Sequence, residues 1–316
     1  MDKGTKILIT INVILVISLA TLYFVLFSDS KSNNKREHIR RPAVSNQLKE
    51  IPEIAEDSEE LEAMIKFALG KEADKFAVYV FRPGVEKQPL LFQSRPMRPA
   101  SMIKVFVLAK VMQDAKDGKL ALDELIPITA NNVVGGAGSI AGEGVGAKVP
   151  IRQAAELMIT ESDNTATNIL IDRVGLDNLN QYLRDKGYND TFFHHKMMLQ
   201  TTQTNLSSAA DLGLLFTRIY EHNCVDDYYD HIMIDYLLKQ DDTDCFPMAL
   251  PYWNIAHKTG EVENLYDDGG IFYGSAGDFI LVIMDDNINT RGETIERMRS
   301  IAMQIARDFM VDKYAK

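Results

Sequence analysis

The stretch PASMIKVFVLAKVM, residues 99–112, places a serine and a lysine at the start of an apolar segment. Proline near the first turn of a helix is favoured, because its missing N–H would be unpaired there in any case. The pattern therefore predicts that Ser101 lies at a helix N-terminus, where unpaired backbone N–H groups stabilise negative charge. Lys104 follows one turn later on the same face, within reach of the Ser101 hydroxyl. The plainer alternative makes Ser101 a helix cap and Lys104 a solvated surface lysine.

A second polar motif, Ser162-Asp163-Asn164, forms a corner between two segments whose patterns indicate burial, 151–160 and 166–171. All three residue types cap helices well, so capping alone would explain the motif.

The third motif, Lys258-Thr259-Gly260, follows a run rich in aromatic and β-branched residues, 252–257, which predicts a strand. Lys258 would be a fixed cation that lowers the pKa of Lys104 and lets it accept the serine proton. Gly260 would let a ligand lie close to the strand backbone.

In this order, the three motifs resemble the set of class A β-lactamases and penicillin-binding proteins, over about residue 55 to the C-terminus. The resemblance implies a serine acyl-enzyme mechanism with Ser101 as nucleophile and Lys104 as its base. It implies that Ser162 passes a proton to the leaving nitrogen and that Asn164 holds an amide of the substrate. Asp163 is expected to tie the loop together.

The resemblance also assigns roles to the residues of the third motif and the one after it. Lys258 and Thr259 would bind a carboxylate of the substrate, a small β-lactam or a D-alanyl peptide. Gly260 would let the substrate lie close to the strand backbone, and the backbone N–H groups of Ser101 and Glu261 would form the oxyanion hole. Neither a cofactor nor a metal ion is predicted.

The glutamate that frees the acylated serine in class A β-lactamases has no counterpart at the expected place. Those enzymes carry it in a loop after the second motif, whereas no glutamate occurs here between Ser162 and Tyr220. The corresponding loop is expected at residues 190–200, DTFFHHKMMLQ. Slow deacylation is therefore predicted. His194 or His195 could substitute as the base, or the pair could be a polar surface doublet, and His257 is either structural or part of the site.

Three functions are compatible with these motifs. The first is a serine hydrolase that opens β-lactam amides with slow deacylation. The second is a penicillin-binding D,D-peptidase that acts on D-alanyl wall peptides. The third is a non-hydrolytic sensor or scaffold that binds wall fragments, although the complete acylating set argues against it.

The N-terminal part of the chain predicts a membrane anchor. Residues 7–27 contain no charged side chain, which is long enough to cross a bilayer as a helix and longer than the apolar core of a cleavable signal peptide. After a short tail, 1–6, we therefore expect an uncleaved single-pass transmembrane helix, with a signal peptide as the alternative. A basic polar linker, 28–54, follows.

The charges on the two sides of the anchor and the location of the implied substrates predict opposite orientations in the membrane. Lys31, Lys35, Arg36, Arg40 and Arg41 follow the span, whereas only Lys3 and Lys6 precede it, so the positive-inside rule would leave the domain in the cytoplasm. The implied substrates lie outside, and the domain is therefore expected to be extracytoplasmic at the cell membrane. The chain has a net charge of −11, which is the sum of +4 for residues 1–50 and −15 for residues 51–316, and so acidic a domain argues against nucleic-acid binding.

The order of predicted elements indicates an α+β fold. Its antiparallel sheet would be assembled from both chain ends, 55–100 and 251–316, flanked by N- and C-terminal helices, with an all-α region, 101–250, inserted. The third motif is expected on an inner strand that faces the helix of Ser101. Cys224 and Cys245 are expected to remain unbridged, because a helix predicted at 226–240 would hold them apart; a bridge is the alternative. The predicted elements are a helix at 57–69, strands at 76–81, 90–92, 254–258, 270–273 and 279–284, and a closing helix from about residue 293.

Overall fold

The computed structural model describes residues 55–199, 201–275, 277–288 and 290–314. The helices are α1 (Ala55–Leu69), α2 (Lys104–Lys116), α3 (Ile151–Thr160), α4 (Asn164–Val174), α5 (Leu176–Asp185), α6 (Ala209–Tyr220), α7 (Asp227–Leu237), α8 (Phe246–Ala249) and α9 (Arg291–Tyr314). The strands are β1 (Phe76–Phe81), β2 (Leu90–Phe92), β3 (Leu125–Pro127), β4 (Lys148–Pro150), β5 (Asn254–Val262), β6 (Leu265–Tyr273) and β7 (Phe279–Asp285).

The main sheet has five antiparallel strands in the order β2-β1-β7-β6-β5. It draws its strands from both chain ends, which confirms the α+β prediction. The third motif lies on β5, which is an edge strand of this sheet, so the prediction of an inner strand was wrong. A motif fixes which residues form a strand but carries no information on strand order, which depends on contacts between distant segments.

Two hydrophobic cores cover the two faces of the sheet. Side chains alternate along β1, so Phe76, Val78 and Val80 pack in one core, with α1 and α9, while Ala77 and Tyr79 pack in the other. The second core includes α2 and the helices between the two halves of the sheet. Burial on both faces explains why β1 is apolar throughout rather than alternating.

The inserted region is not purely helical. Strands β3 and β4 pair antiparallel, with Leu125 opposite Pro150 and Pro127 opposite Lys148, so the all-α prediction for 101–250 was wrong in this detail. Each strand has three residues and ends at a proline, which is too short for a period-two pattern to appear in the sequence.

Cys224 and Cys245 are both free and buried, as expected from the helix between them, α7. Burial raises the pKa of the Cys224 thiol to about 12.

Membrane insertion is predicted for residues 7–27 only, and these lie outside the described residues, as do 1–6 and 28–54. In the part of the chain that the structure describes, none of the helices combines the length and the apolar character needed to cross a bilayer.

Candidate active site

Ser101 lies in a 3-10 turn, Ala100–Ile103, that leads directly into α2 at Lys104. This refines the predicted helix N-terminus, since the first turn is tighter than an α-helix. Ala100 immediately before the serine adopts φ 40°, a left-handed conformation that is uncommon for a residue with a side chain. Ser101 itself is half-buried. The chain is thus turned sharply at the residue that carries the hydroxyl.

The Lys104 side chain is completely buried, which excludes the surface-lysine alternative. Its Nζ lies within hydrogen-bond distance of three oxygen atoms, the backbone oxygen of Ser162 at 2.6 Å, Oδ1 of Asn164 at 2.9 Å and Oγ of Ser162 at 3.1 Å. No hydrogen bond joins it to Ser101 Oγ within the described residues. The amine is therefore held by the second motif, one helical turn from the nucleophile.

The environment of Lys104 favours its neutral form. Burial, and then the positive charge of Lys258, lower its pKa well below the ordinary lysine value, while the Asp163 carboxylate opposes the shift. Desolvation disfavours the charged form of an amine, and a like charge nearby adds to that effect. A neutral amine can accept a proton from a serine hydroxyl.

The second motif forms a strained and well-supported corner. Ser162 adopts φ 55°, a left-handed conformation that surrounding contacts must hold in place. Asp163 caps α4 by accepting a hydrogen bond from the N–H of Ala166 at 2.7 Å, and its other oxygen accepts from the N–H of Ile140 at 2.7 Å. Asp163 thus ties the preceding loop to α4, as predicted.

Gly138 permits this arrangement. It adopts φ 104°, and a Cβ there would lie 2.2 Å from Cγ of Asp163. Any side chain would displace the residue that holds the corner.

Lys258 approaches Ser162 from the sheet. Its side chain is completely buried, and Nζ donates to Ser162 Oγ at 3.2 Å and to the backbone oxygen of Thr259 at 2.9 Å. Burial lowers its pKa to about 8, although Asp268 and Asp242 act in the opposite direction. The hydroxyl of Ser162 therefore bridges the two buried lysines.

Gly260 lets β5 lie directly against the turn that carries the serine. A Cβ at this position would lie 2.7 Å from the backbone oxygen of Pro99 and 3.2 Å from the backbone nitrogen of Met102. A glycine at this position therefore allows the two segments to pack against each other. The sequence had suggested a different role, the close approach of a ligand.

The remaining predicted residues of the third motif continue along β5. Thr259 is buried, whereas Glu261 is exposed and its carboxylate accepts a hydrogen bond from Nε of Arg291 at 3.0 Å. The Glu261 side chain therefore points to solvent, and only its backbone N–H is a candidate for the oxyanion hole.

His257 is structural. It is buried, and its Nδ1 lies 2.9 Å from Oδ1 of Asp268, which is also buried. Because side chains alternate along a strand, His257 lies on the opposite face of β5 from its neighbour Lys258.

In the loop expected to carry a deacylating base, the two histidines are held by hydrogen bonds of their backbone N–H groups. The N–H groups of His194 and His195 donate to Oδ1 of Asn205 at 2.8 and 3.1 Å. The His195 ring lies against the backbone oxygen of Lys196, at 2.7 Å, and the His194 ring is tilted against Phe192. Among the described residues, no hydrogen bond joins either ring to Ser101, Lys104 or Ser162.

Two methionines of the same loop lie close to the second motif. Asn168 of α4 donates to the backbone oxygen of Met197 at 3.2 Å and accepts from its N–H at 2.7 Å. A Cβ placed on Gly136 would lie 3.6 Å from the sulfur of Met198 and 2.6 Å from Nδ2 of Asn164. Asn168 and Asn205 were not predicted from the sequence, because an asparagine whose side chain hydrogen-bonds to the backbone of a distant segment produces no local sequence pattern.

Similarity to known proteins was found at two levels, a family model and solved structures. A model of the beta-lactamase enzyme family matches residues 59–309. No match was found among curated proteins.

Solved structures share the fold over nearly their whole length. The structure of PBP-A has 24% identity and a TM-score of 0.73, and the match covers 79% of this chain and 96% of that one. A beta-lactamase from Sphaerobacter thermophilus has 22% identity, a TM-score of 0.71 and coverages of 79% and 97%. A class A beta-lactamase from Mycobacterium abscessus has 17% identity, a TM-score of 0.70 and coverages of 79% and 99%.

Proposed function

The chain belongs to the beta-lactamase enzyme family of serine hydrolases, and from that premise we propose that it opens β-lactam amides through a slowly released acyl-enzyme on Ser101. The observation that carries the proposal is the position of Ser162 Oγ, 3.1 Å from Nζ of Lys104 and 3.2 Å from Nζ of Lys258. A hydroxyl between two amines of lowered pKa is suited to proton transfer near neutral pH.

In the proposed reaction, neutral Lys104 takes the proton of Ser101 while Ser101 Oγ bonds to the lactam carbonyl carbon. The N–H groups of Ser101 and Glu261 stabilise the resulting oxyanion. The carbon–nitrogen bond then breaks, the leaving nitrogen takes the proton of Ser162, and protonated Lys104 returns a proton to Ser162. The products are an ester on Ser101 and a neutral amine, with both lysines in their starting states.

Substrate binding is assigned to the residues around this relay. Lys258, which keeps its charge during the reaction, and Thr259 bind the carboxylate of the substrate, while Asn164 binds an amide of its side chain. Gly260 leaves the edge of β5 open to the ligand backbone.

A D,D-peptidase is the second candidate, and the methionines of the loop favour it. Where a lactamase needs a carboxylate to activate water, this loop presents Met197 and Met198 next to α4. A lactam ester without such a base should persist and inhibit the enzyme. A variant of PBP-A, the similar protein named above, has been solved as an acyl-enzyme complex with penicillin G.

A panel of ligands distinguishes these candidates. We expect the full chain, mixed with several penicillins and with D-alanyl-D-alanine peptides, to form one covalent lactam adduct per molecule at Ser101, measured by mass spectrometry. Peptide cleavage faster than lactam hydrolysis would assign the D,D-peptidase function. Peptide binding with neither adduct nor cleavage would contradict both and favour a binding module.

The charge of Lys258 should set an upper pH limit on acylation. Because burial lowers its pKa to about 8, the cation that binds the substrate carboxylate is lost as pH rises through that value. The second-order rate constant for penicillin acylation is therefore expected to fall above about pH 8, as measured by stopped-flow with a fluorescent penicillin.

The matched variant for this pH prediction is Lys258→Arg, since a guanidinium stays charged throughout the range. It should remove the decline above pH 8, whatever its absolute rate. A wild-type rate that stays constant up to about pH 10, the ordinary lysine range, would contradict the assignment.

We also propose that residues 7–27 anchor the domain on the outer face of the cell membrane. The uncharged length of this segment supports the anchor, and the proposed substrates support the sidedness. The basic residues after the segment argue the other way, but large domains are partly exempt from the charge rule.

Protease added to intact protoplasts is expected to remove the domain, 51–316, and to leave the anchor in the membrane fraction, as detected with an epitope tag at the N-terminus. A cytoplasmic marker protein must stay intact in the same sample. Protection of the domain until the membrane is broken would place it inside and exclude action on wall peptides.

A further inference from the structure

A second cluster of chemically reactive side chains lies at the junction of α6 and α7, and the proposed reaction does not use it. His222 lies just beyond the end of α6, and Asp227 and His231 lie on the first turns of α7. One ligand atom from each of the three side chains lies within 4.8 Å of the other two.

The spacing of these atoms fits one small metal ion. Oδ1 of Asp227 lies 3.7 Å from Nδ1 of His222. Ligand atoms of a tetrahedral zinc site, at 2.0–2.1 Å from the metal, are about 3.3–3.4 Å apart. Movements of a few tenths of an ångström would therefore bring these two groups to coordinating distance, and a rotation of the His231 side chain would bring its Nε2 to the same ion.

The state of the two imidazoles points to a ligand. Nδ1 of His222 is buried and has no hydrogen-bond partner among the described residues, although buried polar atoms normally have one. The two rings stack with centroids 4.3 Å apart and an interplanar angle of 14°. An unpartnered ring nitrogen beside a second imidazole and a carboxylate is an arrangement that a metal ion would satisfy.

His231 is also oriented in the way that metal-binding histidines are. Its Nδ1 lies 2.6 Å from the backbone oxygen of Asp227. A proton donated to that carbonyl fixes the tautomer and leaves the lone pair of Nε2 for a ligand.

We propose that His222, Asp227 and His231 bind one zinc ion. Two imidazoles and one carboxylate are a donor set that zinc takes with water as the fourth ligand. Copper(II) prefers nitrogen donors more strongly and should bind the same residues. The site could not be predicted from the sequence, because Asp227 and His231 are only one helical turn apart and His222 comes close to them only through the fold of the intervening loop.

The ion would fasten the end of α6 to the start of α7. Helix α6 packs on β1, β6 and β7, and α7 packs on β5, the strand of Lys258. Zinc bound only to the folded chain stabilises it by mass action. The effect is on stability, and the site and the catalytic cleft can therefore be tested separately.

The test is a titration of the full chain with zinc chloride after removal of metals by a chelator. Isothermal calorimetry should give one site per chain, and zinc at 100 times the dissociation constant should raise the Tm by about 5 °C or more. His231→Gln and Asp227→Asn, both at exposed side chains, should each weaken binding at least about tenfold and, at the same zinc concentration, reduce the Tm increase to about half or less.

The matched control is His194→Gln, which removes an imidazole elsewhere in the domain and should leave zinc affinity unchanged. Covalent labelling by penicillin, measured in every variant, reports on the catalytic cleft independently, so loss of labelling cannot be mistaken for loss of zinc binding. Zinc affinity unchanged in both His231→Gln and Asp227→Asn, or no saturable binding by the wild-type chain, would overturn the proposal.

Discussion

Replacing Lys104 by methionine is expected to slow acylation by at least about 10³-fold, because general-base catalysis contributes roughly 10²–10⁴ and the oriented amine also holds Ser162. Methionine has nearly the same length, so the change removes the base and the three polar contacts of Nζ without opening a large cavity. Ser101→Ala is expected to abolish covalent labelling altogether. Both are measured as the rate of adduct formation with a fluorescent penicillin.

Two further variants separate the base from the charge and from general destabilisation. Lys104→Arg keeps a cation that does not lose its proton, and it should be as slow as the methionine variant. Lys110→Met removes another buried lysine of α2, one that pairs with Asp114 at 2.5 Å; it should lower the Tm and leave the acylation rate of the folded protein unchanged. Acylation within about tenfold of wild type in Lys104→Met would show that another group is the base.

The chemistry of the site could be predicted because it is encoded in short local motifs. Ser101 and Lys104 are one helical turn apart, so their proximity follows from helix geometry alone. Strand β1 was predicted with its observed bounds, since its six apolar residues lie between polar segments.

Strand β6 begins before its predicted start because buried polar residues interrupt the apolar pattern. Strand β5 continues through the third motif to Val262, and its last two residues are exposed. Asp267 and Asp268 are completely buried in β6. Asp268 pairs with His257, and Asp267 accepts a hydrogen bond from the N–H of Asp285 at 2.8 Å. Burial raises the pKa of Asp285 to about 8. These carboxyl groups are buried with hydrogen-bond partners, and a hydrophobicity pattern cannot show which polar residues will have such partners.

The features that could not be predicted from the sequence depend on contacts between segments far apart in the chain. The edge position of β5, the pairing of β3 with β4 and the hold of Asn168 on Met197 all join residues far apart in the chain. The same applies to the zinc cluster, where His222 reaches α7 only through the intervening loop. Local propensity carries no information on any of these contacts.

The acyl-enzyme formed with penicillin is expected to persist for minutes, and Met197→Glu is expected to shorten its lifetime at least about 10²-fold by supplying a general base. Residue 197 is the position of choice because two hydrogen bonds between its backbone and the Asn168 side chain hold it in place. Asn168 lies one turn after Asn164 on α4, hence on the same face, and Asn164 contacts Lys104 directly. The lifetime is measured by mass spectrometry after excess lactam is removed.

The matched control is Met198→Glu, which adds the same carboxylate one residue later on an exposed side chain without the hold of Asn168. It should change the lifetime much less, since catalysis by a base requires a fixed position within hydrogen-bond reach of the attacking water. His194→Gln and His195→Gln should leave the wild-type lifetime unchanged, because their rings make no hydrogen bond to the catalytic residues in the described part of the chain. Rapid wild-type turnover without an adduct, slowed by either histidine variant, would show instead that a histidine of this loop replaces the missing glutamate.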